Sequence, residues 1–245
     1  MVYSETTNRT GLIQLLEDMT VTQSGTGASY LLAAKTRDLN SSLAYFMMLA
    51  MKAAGRTQVD DSNQAKYPII TFNLVSGQQE YVFVNDNETT PNQILDLLRV
   101  EAATSADASP TWAKLEPYDM TETGESITQR ANYSGVPTSY DIYGNAIWLD
   151  YKPNYAATAG LKLYINRTPT YFTTSDTTKV PGIPWMFHEY LAIRCAYLFW
   201  LRNDQSQANA YLNTMMTMEK AINEYYAGRN KDDRKVATVE GINFR

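Results

Sequence analysis

The sequence predicts an α+β chain: a helical bundle of two N-terminal and two C-terminal helices, a central antiparallel β-sandwich or barrel-like insertion, and an extended C-terminal arm. Three observations predict it. Apolar residues recur at three- and four-residue steps near both ends of the chain. Between them lie short runs with alternating or β-branched residues, punctuated by Gly, Pro and Ser. A rigid elbow, Val180-Pro-Gly-Ile-Pro184, marks the return to helix. The resulting division is a helical domain over 1–66 and 180–228, a strand domain over 67–179 and an arm over 229–245.

A first helix is expected over residues 4–19, capped by Ser4 or Thr6, with Leu12, Ile13, Leu15, Leu16 and Met19 as its apolar face. A Ser/Thr/Gly-rich loop leads to a second helix over 30–54, where Leu39, Leu43, Phe46, Met47 and Ala50 share a face and Gly55 stops it. Residues 68–75 and 80–84 read as a hairpin across Ser76-Gly-Gln-Gln79. Pro91 can open a short helical turn, 95–102 reads as a strand, and 105–110 as the loop feeding a strand over 111–117. Further strands are expected at 138–143, 146–151 and 160–167, with a tight turn at Tyr143-Gly-Asn-Ala146 and with Pro153 and Pro169 as strand ends. Pro184 suits the start of a third helix over 184–203, since its missing N–H has no partner to lose there. That helix is apolar on most sides, which predicts burial in a core or between subunits. Asn203-Asp-Gln-Ser206 breaks and recaps the chain before a fourth helix over 206–228, ended by Gly228, and the pair reads as an antiparallel hairpin. Beyond it, a charged run precedes Val236, Val239, Ile242 and Phe244, the pattern of an arm that orders on a partner.

Composition narrows the function. At 44% hydrophobic residues the 245-residue chain can build a core. Its 18 tyrosines, against 7 Phe and 4 Trp, suit half-buried strands and interfaces. A net charge of −5 argues against a sequence-independent nucleic-acid binder, which needs a basic stripe to displace counterions. The single cysteine, Cys195, allows no intramolecular disulfide and fits a reducing compartment. No long apolar span and no basic-then-apolar N-terminus are present, so neither secretion nor membrane insertion is expected.

Chemistry finds few candidates. The only histidine, His188, lies seven residues from Cys195, two helical turns or ~10 Å of rise, too far for a dyad. One His and one Cys fall short of the several such ligands that a tetrahedral zinc site wants. Asp60-Asp61 and Asp232-Asp233 are paired carboxylates in polar settings, read first as solvated charge and second as a divalent-ion site. Gly25-Thr-Gly27 lacks the rest of a dinucleotide fingerprint, and no Gly-x-Ser-x-Gly elbow is present. The reading is a non-enzyme with no catalytic, cofactor or metal site.

The order and spacing of Gly135-Val-Pro-Thr-Ser-Tyr140, Ile147-Trp-Leu149 with Pro153, Leu163-Tyr-Ile-Asn-Arg-Thr-Pro169 and Pro181-Gly-Ile-Pro184 before the helix with His188 resemble the phage head–tail adaptor (connector) family, also called tail accessory or tail tubular adaptor proteins. The resemblance covers residues 68–228. It implies a structural virion protein of the neck, assembled in the host cytoplasm as a dodecameric ring beneath the portal. Such a ring extends the DNA channel, helps retain the genome until ejection and docks tail or nozzle proteins, with DNA passing through unbound by sequence and no membrane involved. It gives the arm, with Val236, Val239, Ile242 and Phe244, a role in reaching the portal. Rings need two different faces meeting head to tail, and the nominated subunit contacts are Phe187, Tyr197, Trp200, Tyr211 and Met215.

Other readings stay open at this level. One is a tail-completion or stopper protein. Another is a carbohydrate-binding module of a virion using Trp112 and Trp148 as stacking platforms, and a third a hydrolase using Asp60 or Asp61.

Overall fold

A computed structural model of the protein describes residues 1–22, 29–54, 69–82, 94–119, 132–144 and 146–229. The expectations placed on Gly25–Gly27, Gly55, Asp60-Asp61, Pro91, Asp232-Asp233 and the arm beyond Arg229 lie outside the described residues.

The helices are α1 (Leu12–Thr20), α2 (Leu32–Ala54), α3 (His188–Asn203) and α4 (Gln205–Arg229), with a 3₁₀ turn at Trp185–Phe187 leading into α3. The strands are β1 (Ile69–Leu74), β2 (Glu80–Val82), β3 (Ile94–Ala103), β4 (Trp112–Pro117), β5 (Ser134–Gly135), β6 (Ser139–Tyr143), β7 (Ala146–Leu149), β8 (Lys152–Pro153) and β9 (Ala157–Arg167). This is the α+β arrangement read from the pattern, with four helices and a large, nearly closed sheet among the described residues.

The first helix starts at Leu12, not residue 4. Glu5 is the physical reason: its carboxylate accepts the N–H groups of Thr7, Asn8 and Thr10 and folds residues 5–10 into a turn. Arg9 takes a positive φ of 57° within it. A Cβ on Gly11 would lie 2.3 Å from the Glu5 nitrogen, so only glycine lets the turn close onto the helix. Ahead of it, the N–H of Tyr3 donates to the Lys179 carbonyl and that of Ser4 to Thr177, an extended tie to the segment before α3. At the far junction Asp204 is extended, and its Oδ1 accepts from the Ser206 N–H at 2.8 Å to cap α4. Gly228 lies inside the last turn of α4 instead of ending it.

The sheet runs β1-β9-β3-β4-β6-β7-β2. All its pairs are antiparallel except β4–β6, so it is mixed and one sheet, not two stacked ones. The hairpin expected between β1 and β2 does not form. β1 pairs with β9 and β2 with β7, which puts the two strands at opposite edges of the same sheet. Residues 75–79 join those edges, and five residues reach about 17 Å at most. The sheet must therefore curl until its edges approach. Gly77 turns the connection at φ 80°, and the Tyr81 hydroxyl, in β2, accepts the Val75 N–H at 3.1 Å across the gap. The curl is assisted by a bulge where the β1–β9 register shifts between Phe72 and Leu74. There Ala159 takes φ 51° and donates to the Asn73 side chain at 2.8 Å. β5 and β8, a two-residue parallel bridge, carry no sequence pattern and were not expected.

Two hydrophobic cores result. One joins α1–α4 through Leu12, Leu16, Leu39, Leu43, Phe46, Tyr190, Leu191, Ile222 and Tyr226. The other fills the curled sheet with Leu74, Val100, Leu115, Ile147, Leu149, Leu161, Leu163 and Ile165. Residues 168–184 connect them. Asn40, on α2, holds that connection by donating to the Phe172 carbonyl and accepting its N–H, both at 2.9 Å.

Candidate functional site

The residues with potential chemistry are spent on structure. Cys195 is wholly buried and its Sγ lies 3.1 Å from the Ser42 hydroxyl. Burial pushes its thiol up to about 12, so it stays protonated and unreactive at neutral pH. His188 is buried between the chain's two ends of the helical core: its Nε2 is 2.9 Å from the Ile183 carbonyl and its Nδ1 2.8 Å from the Met1 nitrogen. Nε2 therefore carries the proton given to Ile183, and Nδ1 accepts. Desolvation lowers the imidazole below its ordinary pKa and keeps it neutral. Among the described residues no three His, Cys, Asp or Glu side chains gather as metal ligands, and no helix is long and apolar enough to cross a membrane.

The strand tryptophans do not form a stacking platform. The Lys162 ammonium sits 3.3 Å from the centroid of the Trp112 ring and covers its face. Trp148 is half-buried in an edge contact with Tyr143.

The five nominated subunit contacts divide. Phe187 is buried against Phe46 and Tyr225. The Trp200 indole N–H and the Tyr211 hydroxyl both donate to the Met19 carbonyl, at 3.1 and 3.0 Å. They satisfy an orphan acceptor at the C-terminus of α1. Met215 packs on the same core, and Tyr197 is half-buried. The first half of the third helix is thus covered by its own chain at His188, Tyr190–Ile193, Cys195 and Ala196, with Glu189 left exposed, and the helix opens further toward Leu201.

Apolar surface is left elsewhere. Trp185, on the 3₁₀ turn, is 80% exposed, with Met186 beside it. Trp185 falls at the entry of the helix expected over 184–203, and the packing of Phe187 on Phe46 and Tyr225 leaves it facing outward. On α2 a second apolar surface forms a groove of about 700 Å³ lined by Ala44, Met47, Met48, Met51 and Lys52 with Thr168, Pro169 and Tyr171. Methionine gives such a groove an adaptable lining.

The first surface protrudes, and the second is open and apolar with a single charged rim residue. The sequence profile described as SU10 adaptor protein matches residues 19–240. A search of curated proteins gave no match. The profile spans α2, the whole sheet, α3 and α4, and the chain belongs to the SU10 adaptor protein family, a phage head–tail adaptor family.

Proposed function

We propose that this member of the SU10 adaptor family forms a head–tail adaptor ring beneath the portal, a dodecamer by resemblance, that extends the DNA channel and docks tail or nozzle proteins. The observation carrying this reading is the family match over residues 19–240, which includes α2, the sheet, α3, α4 and residues 229–240 of the C-terminal arm. The coarser statement, a structural adaptor component of a phage virion, follows from the family itself.

In this reading the arm reaches the portal, with Val236, Val239, Ile242 and Phe244 as its anchors. Four spaced apolar residues beyond a charged linker can occupy pockets while the linker stays solvated. Subunit contact in the ring falls partly on Tyr197 and on the outer edges of Trp200, Tyr211 and Met215. Their inner edges are already engaged within the chain, so Phe187, which is buried, contributes by supporting its exposed neighbours. Each subunit carries −5, and an acidic lumen would let DNA pass during ejection without gripping it. Adaptor assembly is completed in the host cytoplasm and the ring stays in the virion neck.

Native mass spectrometry of the full chain alone and mixed with its portal tests the proposal. A fixed number of chains per portal ring is the expected result. Deleting residues 230–245 should lower portal binding at least tenfold while leaving the melting transition in place. A full chain that never joins a portal would overturn the reading.

A further inference from the structure

We infer that Trp185 of one copy seats in the α2 groove of the next, with Glu189 of the first copy facing Lys52 of the second. This rests on the ring reading and names one of its contacts.

The argument begins with exposure. An indole 80% exposed is a costly thing to hold in water, with on the order of 200 Å² of area to bury. Tryptophan is also the residue that most often anchors a protein interface. Trp185 is held out rigidly: the N–H of Phe187 donates to the Pro184 carbonyl at 2.9 Å, and the Phe187 ring is locked against Phe46 and Tyr225. The knob is preorganised, so little entropy is lost on docking.

The groove is the complement. At about 700 Å³ it has room for an indole and the neighbouring Met186 side chain, and Met48 on its wall is 53% exposed. Trp185 and Met186 of the same copy are not among the residues that line it. Phe187 packs on the Phe46 side of α2. At 3.6 residues per turn, Ala44, Met48 and Met51 point to the other side, where Asn40 grips the Phe172 backbone. Knob and groove are thus different surfaces on different sides of one helix. Such a pairing is heterologous, and heterologous pairings close into rings or extend into filaments.

Charge selects a second copy as the occupant. Glu189 lies one helical turn after Trp185 on the exposed side of α3, and Lys52 lies on the groove rim. Both are exposed, and neither forms an ion pair with another described residue. Docking the knob brings opposite charges to the rim, where they steer register more than they add affinity. The buried area is the remaining consideration. Trp185 and Met186 fall well short of the roughly 800 Å² per partner of a stable pair. The contact is therefore weak between two isolated chains and effective when several copies are held side by side.

The test traps the contact in the full chain at high concentration. A zero-length carbodiimide is applied to a mixture of ¹⁵N-labelled and unlabelled protein, and cross-linked peptides are read by mass spectrometry. The expected product joins Lys52 to Glu189 with mixed isotopes, in a ladder of multimers. Trp185→Ala should cut its yield at least tenfold with an unchanged circular-dichroism melting curve. Lys52→Glu and Glu189→Lys should each abolish the ladder, and the double swap should restore it.

Three results overturn the inference. One is multimers that lack the Lys52–Glu189 product and ignore Trp185→Ala, which leaves the ring reading standing with another interface. Another is a chain that gives no ladder at any soluble concentration. The third is a Lys52–Glu189 product that forms only after residues 230–245 are deleted, which assigns the groove to the C-terminal segment. Failure of the ring reading itself appears separately, as absence of portal binding.

Discussion

The two cores are built on different physical terms. The sheet core is aliphatic: Val100, Leu115, Ile147, Leu149, Leu161 and Leu163 fill it, and polar groups such as Gln79 and Asp150 sit at its margins and bond backbone. The helical core encloses charge. Lys35 is wholly buried and pairs with Glu17 at 3.1 Å, linking α2 to α1. Asp38 accepts the Tyr30 hydroxyl at 2.7 Å and Arg202 at 2.8 Å, linking α2 to the end of α3. A sheet has its register fixed by ladder bonds and by alternation, because a one-residue slip would turn every apolar side chain outward. Helices can slide and rotate on one another at small cost, and buried pairs with directional partners can fix one arrangement. The difference teaches that, among the described residues, ion pairs with a buried member, Lys35–Glu17 and Arg202–Asp38, lie between helices, whereas the sheet's buried Arg167, at the end of β9, donates to backbone, to the Thr168 carbonyl at 3.0 Å.

Breaking one charge should have the largest effect. Lys35→Met takes from buried Glu17 its 3.1 Å partner and keeps the partly exposed Arg9, 3.6 Å away. The expected cost is about 3–5 kcal/mol, the cost of removing one partner of a buried pair. Adding Glu17→Leu should recover most of it, because a well-packed apolar pair avoids the desolvation cost. Urea unfolding measures both. If the double variant is as stable as the parent but its helical amides exchange faster, the pair is there for specificity. If single and double variants are equally unstable, the pair supplies stability directly and the comparison fails.

The sheet should respond to volume instead. Leu163 is fully buried on β9, the strand that bonds both β1 and β3. Leu163→Ala is expected to cost about 3 kcal/mol through lost burial and the cavity left behind. Trp112 and Trp148 lie in the sheet and Trp185 and Trp200 in the helical part, so variants keeping one pair of tryptophans report each region's unfolding. A loss confined to the sheet reporters would sharpen the contrast; equal shifts in both would mean one cooperative unit.

This contrast also explains what the sequence disclosed. α2, α3 and α4 were legible because their apolar residues recur with the helical period, and β6–β7 because Gly144, at φ 62°, marks a tight turn. Pairing partners were less legible. Ser76-Gly-Gln-Gln79 has the composition of a hairpin turn, yet β9 lies along β1 and β7 along β2, and the distant partners win because they bury both strands in one curled sheet. The start of α1 was hidden by Glu5, whose side chain competes with helix by binding backbone N–H groups. The candidate site was half legible: the residues nominated at α3 and α4 are there, but their helices cover them, and the exposure of Trp185 depends on Phe187 finding Phe46.

The smallest expected effect lies at the end of α1, where neither core decides. Val21 closes that helix in the left-handed region, at φ 52° and ψ 37°, with its N–H donating to the Glu17 carbonyl. A β-branched side chain crowds the backbone there. Val21 is 86% exposed, so its side chain returns little burial for that strain. Val21→Gly removes the crowding but gives the unfolded chain more freedom, and the two terms oppose each other. The strain, about 1–2 kcal/mol for a non-glycine residue in this region, exceeds the added entropy. A net gain of about 0.5–1 kcal/mol is expected, read as a rise in the urea midpoint with an unchanged slope. Because Met19, two residues earlier, accepts from Trp200 and Tyr211, the gain should appear in the helical reporters first. A decrease would mean that Val21 is covered by another element, and that this end of the helical core is less open than its exposure indicates.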